Sequence, residues 1–242
     1  MRRFYATPER FQGDVVRLSP EETQHQARVL RLGVGARVEV CDGRGRNWEA
    51  VVASLDAGGA LLQAVRPLPA WGESPLRLIL GIGLAKGDAL EEVIRQAVEL
   101  GVHQLLPFVS ARSERLTPER AARRLGRWQR LVRESLKSCQ RSLLPEIASP
   151  RDFAAVLKTR AEVRLIFWEE ERAGGLQTLL QRPRPESACL LIGPEGGFAA
   201  GEVELARAAG FEVASLGPRR LKVATAALAA LTLLQHAWGD LA

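Results

Sequence analysis

The residues best suited to chemistry gather late in the chain, in LLIGPEGGF at 190–198 and SLGPRRLKVATAALAAL at 215–231. Each stretch begins as a short apolar run, breaks into a Gly-Pro loop and resumes with helical spacing. Glycine lets backbone approach a ligand closely and adopt positive φ. In open α/β sheets, ligands bind outside the carboxyl ends of the strands, where such loops sit. Gly193, Pro194, Glu195, Gly196 and Gly197 make the first loop; Gly217, Pro218, Arg219, Arg220 and Leu221 make the second. The second comes one βα unit later, which predicts that it lies beside the first. One such loop is more often a plain strand-to-helix turn; two neighbouring ones point to a cofactor pocket. Neither has Rossmann or Walker spacing, and Gly81-Ile82-Gly83 lacks the third glycine, so ordinary NAD or ATP binding is not supported.

Other chemistry is set aside by spacing. The three histidines, His25, His103 and His236, are far apart and have no metal-ligand spacing. No GxSxG elbow is present. The three cysteines (Cys41, Cys139, Cys189) are scattered and odd in number, which argues against a disulfide framework and fits a reducing cytosol. Cys139 falls on an apolar stripe and reads as a small packing residue rather than a nucleophile.

The net charge is +6, yet residues 112–141 alone carry ten basic and three acidic side chains. Basic charge focused on one segment suits a polyanionic partner. From about Pro118 to Arg141 the pattern is helical: Ala121, Leu125, Trp128, Val132, Leu136 and Cys139 form one apolar stripe. Arg123, Arg127, Arg130, Lys137 and Arg141 form a row on another face, able to follow a phosphate backbone. A solvated charged face would look the same, though acids to balance it are few.

These loops and this helix need a frame. Hydrophobic residues make up 46% and charged ones 26%, as in an ordinary globular protein, and no apolar run reaches the length of a membrane span. The start, MRRFYATPERF, has no apolar core of a secretory signal. Short strand patterns at 15–18, 37–41, 48–55 and 60–65, with a helical pattern at 21–31, predict a small β-barrel over 1–70. Pro67, Pro69, Gly72 and Pro75 read as a linker. Strands near 76–82, 105–109, 163–168, 188–192 and 213–216 then alternate with helices, predicting a parallel α/β sheet over 73–242. Asp88 and Glu91 fit a capping box for a helix with Leu90, Val93, Ile94, Ala97 and Val98 inside and Gly101 at its end. The last helix, from Ala224 to about Trp238, is apolar almost all round, so it is expected to be buried, by its own chain or by a second copy.

Taken together, LLIGPEGGF and LGPRRLKVATAALAAL resemble the cofactor-binding end of the ribosomal RNA small subunit methyltransferase E family. HQARVLRLGVGARVEVCDGRG (25–45) resembles that family's PUA-like N-terminal barrel. KGDALEEVIRQAVELGVHQLLPFVSARS (86–113) and RWQRLVRESLKSCQRSLLPEI (127–147) resemble its next two signature blocks. The resemblance implies an α/β fold of the SPOUT class, whose methyltransferase domain is tied in a trefoil knot, behind a PUA-like barrel. It implies a cytoplasmic homodimer without metal that moves a methyl group from S-adenosylmethionine to N3 of one uridine in 16S ribosomal RNA.

It also assigns residues. Three loops would hold the cofactor: Phe167, Trp168 and Glu169; Ile192 with Gly193 to Gly197; and Leu216, Gly217, Arg219, Leu221, Ala224, Thr225 and Ala226. On chemical grounds apart from the resemblance, Arg219 and Lys222 are expected to stabilise charge on the uracil, and Glu195 either to accept the N3 proton or simply to cap the following helix. The RNA would meet Arg2, Arg3, Arg28 and Arg31 on the barrel, and Arg112, Arg123, Arg127, Arg130 and Arg141 beyond it. The chain departs from the family pattern at one place: Arg-x-Glu-Thr becomes Lys222-Val223-Ala224-Thr225, which removes a carboxylate. Two other readings therefore stay open: an inactive RNA-binding assembly protein of the same fold, or a SPOUT enzyme acting at another RNA site.

Overall fold

The computed structural model describes residues 1–23, 33–85, 89–172 and 175–241. Arg28, Arg31, Lys86, Asp88 and most of the helical pattern at 21–31 lie outside them; within them, 20–23 are helical. The chain divides into two compact units, Met1–Glu73 with Leu136–Leu144, and Ser74–Ser135 with Pro145–Ala242. This differs from the linear division in the sequence, because a nine-residue segment from the middle of the chain groups with the first unit.

The first unit holds β1 (Arg2–Tyr5), β2 (Phe11–Gln12), β3 (Val15–Arg17), β4 (Arg37–Cys41), β5 (Asn47–Asp56) and β6 (Gly59–Leu68), in the order β1-β4-β5-β6-β3-β2. Alternation decides which side chains point inward. Val38 and Val40 of β4 are fully buried, and Phe4 of β1 shares one core with Val16 of β3, from the far half of the sheet. A flat sheet could not bring those strands to one core, so this one curls. The expected linker is ordered. Pro67 lies within β6, opposite Trp48. Glu73 accepts from the Arg141 guanidinium (2.8 Å) and from the backbone N–H of Ser142 and Leu143.

The second unit is a seven-stranded sheet in which every pair is parallel: β7 (Arg77–Gly83), β8 (Gln104–Val109), β9 (Glu146–Ile147), β10 (Arg151–Asp152), β11 (Val163–Phe167), β12 (Ser187–Ile192) and β13 (Glu212–Ala214). The main order is β10-β8-β7-β12-β11-β13. β12 is central and its run Ala188 to Ile192 is buried, as a strand covered on both faces requires. The helices are α1 (Ala89–Glu99), α2 (Pro118–Ser138), α3 (Phe153–Val156), α4 (Leu176–Leu180), α5 (Ala200–Ala208) and α6 (Val223–Trp238). α1 buries Leu90, Val93, Ile94, Ala97 and Val98, and Gly101 follows it at φ 78°. α2 buries Trp128, Leu131, Val132 and Leu136, while Ala121 and Leu125 of the expected stripe are only half-buried. α6 departs from the expected all-round burial: Val223, Ala227, Leu231 and Leu234 are inside, but Leu233 is 37% exposed and Leu228 and Ala229 are half-buried.

Because the sheet is parallel, all its carboxyl ends share one edge. β13 pairs with β11 and not with β12. The two glycine loops therefore do not follow neighbouring strands, as one βα step had suggested. The loop after β11 lies between them.

Candidate active site

Three loops leave the carboxyl ends of β11, β12 and β13 and enclose a cavity of about 240 Å³. Phe167, Trp168, Glu169 and Glu170 come from the first loop; Ile192 to Phe198 come from the second. The third contributes Ser215, Leu216, Gly217, Arg219, Arg220 and Leu221, followed by Val223 and Ala226 from the first turn of α6. Each loop leaves its strand where the apolar run stops.

Close approach sets the second loop. A Cβ on Gly83, at the end of β7, would sit 2.6 Å from Pro194 Cδ, so glycine there lets the loop fold back onto the sheet. A Cβ on Gly193 would press on the Phe198 ring at 3.2 Å. Gly197 has φ 68° and closes a turn by donating to Pro194 O at 2.8 Å; a Cβ there would strike the Glu169 carboxylate. The glycines thus make room for Glu169 and for the backbone itself.

Arg112 completes the cavity, and it departs from its expected place on an RNA face. Its guanidinium donates to Gly196 O at 2.7 Å, with a longer contact to Phe198 O at 3.4 Å. Its neighbour Ala111 donates its backbone N–H to Glu202 Oε1 (2.8 Å), and Glu202 Oε2 accepts from Ala199 N–H at the start of α5. The turn after β8 is thereby tied to the glycine loop and to the first turn of α5. Nothing in the sequence signals this, because Arg112 and Gly196 are far apart along the chain.

Most of the expected cofactor residues border the cavity. Ala224 and Thr225 do not: Ala224 is half-buried and Thr225 exposed in the first turn of α6. Lys222 is the N-cap of α6 and is exposed, outside the lining, while Arg219 and Glu195 are part of it. The sequence reading missed Glu170, Phe198 and Ser215 as lining residues. Each is a near neighbour of a residue it did name.

Among the expected RNA contacts, Arg2, Arg123, Arg127 and Arg130 are exposed, with Arg127 also paired to Glu91 at 2.7 Å. Arg3 and Arg141 are corrected to interior roles within the first unit. Arg3 donates to Gln140 O, Asn47 Oδ1 and Arg141 O, and its side chain is 7% exposed. The Arg141 side chain is 2% exposed against Glu73. Buried side chains bonded to internal acceptors do not present their guanidinium groups to a phosphate in solvent. Arg28 and Arg31 lie outside the described residues. Burial pushes the Cys189 thiol up to about 12 and raises that of Cys41, so neither is a thiolate near neutral pH. Among the described residues no group of His, Cys, Asp and Glu is placed to hold a metal ion, and no helix is long and apolar enough to cross a membrane.

An RNA methyltransferase domain family matches residues 72–235, and an RNA methyltransferase PUA domain family matches residues 18–65. Ribosomal RNA small subunit methyltransferase E of Synechocystis is 34% identical over 95% of this chain and 75% of its own length. The chain belongs to the ribosomal RNA small subunit methyltransferase E family. Two solved structures extend the likeness through the whole fold. One is a member of the family from Neisseria gonorrhoeae bound to S-adenosyl methionine (TM-score 0.89, 29% identity, all of both chains). The other is a putative methyltransferase from Legionella pneumophila in complex with the bound cofactor SAM (TM-score 0.91, 30% identity, 99% of this chain and 98% of the other).

The cavity fits such a cofactor on its own chemistry. Phe167, Trp168, Leu216, Leu221 and Val223 offer apolar and aromatic surface for a base, and Glu169, Glu170 and Glu195 offer carboxylates to a cation and to hydroxyl groups. The indole Nε1–H of Trp168 is buried and has no acceptor among the described residues, so a ligand lone pair would satisfy it.

Proposed function

We propose that this protein is an S-adenosylmethionine-dependent methyltransferase acting on N3 of a specific uridine in 16S ribosomal RNA of the small subunit. The observation that carries this reading is the convergence of three loops on one glycine-cradled cavity at the carboxyl edge of the sheet. Its relatives' names, the PUA match and the S-adenosyl methionine bound in a neighbour with the same fold support it. The same reading carries a trefoil knot in the second unit, a PUA-like RNA-binding domain over 1–70 with the methyltransferase domain over 73–242, and a cytoplasmic homodimer joined through the outer face of α6.

Bound in the cavity, S-adenosylmethionine supplies an electrophilic methyl group on a sulfonium. The chain's part is mainly alignment and charge. The loops fix the nitrogen's line of approach, which removes much of the entropic cost of the encounter. The N3 proton of a neutral uridine must leave, and Glu195 at the cavity wall is its acceptor. Arg219, also on the cavity wall, with Lys222 at the head of α6, offsets negative charge on the uracil oxygens. The unsatisfied N–H groups of the first turn of α6 add positive potential there. Arg2, Arg123, Arg127 and Arg130 hold the RNA backbone.

Incubation of the purified protein with small-subunit particles and labelled S-adenosylmethionine, followed by mass spectrometry of the digested RNA, tests this. Label on a uridine N3 is the expected result; label on a ribose or another base would sink it. One observation favours a second reading: with Ala224 where the family pattern has a carboxylate, the protein could bind RNA and cofactor without turnover. Cofactor binding with no label transferred would select that outcome.

A further inference from the structure

Trp71 is 68% exposed, more than any other aromatic side chain in the chain's described residues. It belongs to the first unit and is not among the residues that line the cavity. An exposed tryptophan on a loose loop would mean little, but this one is held. Its backbone N–H donates to Ser142 Oγ at 2.8 Å, and the same hydroxyl donates back to Trp71 O at 3.2 Å. Ser142 is itself buried, and its Oγ also accepts from Asn47 Nδ2. Its backbone N–H goes to Glu73. The next residue, Leu143, is 37% exposed and bridges to Arg44, and Gly45 N–H donates to Ser142 O. Trp71, Leu143 and Arg44 thus stand on one rigid base.

The charges of this base face in a consistent direction. Asp42 is 1% exposed and spends its carboxylate on the backbone N–H of Arg44 and Arg46 and on the Arg46 guanidinium. Glu73 is spent on Arg141, Ser142 and Leu143. The Asp42 and Glu73 carboxylates turn inward; the Arg46 guanidinium stays with Asp42 and over the Trp48 ring, so the exposed Arg44, whose charge also reaches the exposed Glu9, is the cation this base presents. What solvent meets is the Trp71 indole, with Arg44 joined to the same base through the Leu143 bridge.

We propose that Trp71 is a stacking platform for an unpaired base of the RNA, with Arg44 beside it on the adjoining phosphate. A rigid aromatic face beside cations is what single-stranded nucleic acid recognises, since every base offers a π-face and the backbone is anionic. A second protein surface would gain less from an indole with a cation on the same base. This inference rests on RNA being the substrate, and its test keeps the two apart.

Affinities of wild type, Trp71→Ala, Trp71→Phe and Arg44→Ala for 16S ribosomal RNA and for a single-stranded oligouridylate are compared across a salt series. Trp71→Ala weakens binding ~10-fold with the salt slope unchanged, because stacking releases no counterions. Trp71→Phe, which keeps a ring, recovers most of the loss. Arg44→Ala lowers the slope by about one. Cofactor affinity stays the same in all three. If wild type binds RNA and Trp71→Ala binds it equally well, the platform is overturned while the substrate reading stands. If wild type binds no RNA, the substrate reading itself falls, and the platform with it. If Trp71→Ala instead changes the sedimenting mass, the indole belongs to a contact between copies, which also overturns the proposal.

Discussion

Arg219 and Arg112 both border the cavity, yet they face different tasks. Arg219 is exposed in the cavity loop between β13 and α6, where the proposed reaction needs a cation. Replacing it with alanine should cut turnover at least ~10-fold while leaving S-adenosylmethionine affinity within about twofold, read from single-turnover rates and calorimetry. A turnover loss of less than about twofold, ~0.5 kcal/mol of barrier, would end its assignment. Arg112 holds the glycine loop by its carbonyls. A charge-assisted hydrogen bond contributes about 1.5–3 kcal/mol. Arg112→Ala should therefore raise the KM for the cofactor ~10-fold with little change in RNA affinity. The opposite split, RNA affinity lost and cofactor KM unchanged, would return Arg112 to a phosphate-binding role. Sequence spacing put Arg112 with the basic helix, because along the chain that is where it lies. Its acceptors come from a strand end much later in the chain, and only folding brings them together.

At the scale of elements, strands and helices were legible because their apolar periods are local. The run from Ala188 to Ile192 is a central strand, and the 3.6-residue period of α2 puts Trp128, Val132 and Leu136 inside. Glycines were harder to read. Gly81-Ile82-Gly83 looked like an incomplete fingerprint, yet Gly83 is there so that Pro194 can pack on β7. Gly83→Ala should cost about 1–3 kcal/mol in chemical denaturation and weaken cofactor binding, as crowding in a packed site does. Gly126, in the exposed middle of α2, meets nothing within 4 Å. Gly126→Ala should raise stability by about 0.4–1 kcal/mol, since it restricts the unfolded chain at no cost to the folded one. Equal effects of the two substitutions would contradict this account of Gly83.

For the whole molecule, the outer face of α6 carries the association prediction. Leu233 is 37% exposed, with Leu228 and Ala229 half-buried on the same helix, an apolar surface this chain leaves uncovered. Sedimentation of the wild type should give twice the chain mass, and Leu233→Asp should give single chains at micromolar concentration. A single-chain wild type would refute the homodimer. The sequence by itself determined the two fold classes, the position of the glycine loops at strand ends, and the family, because these depend on short-range patterns and collinear motifs. It placed β12 and β13 side by side, and it placed Arg3 and Arg141 on a binding face. Tertiary structure alone decided that β11 lies between those strands, that Leu136–Leu144 groups with the first unit, and that those two arginines are spent on internal acceptors. The physical reason is common to all three. Strand order and the partners of a charged side chain are set by contacts between residues far apart in the chain, and no local period records them.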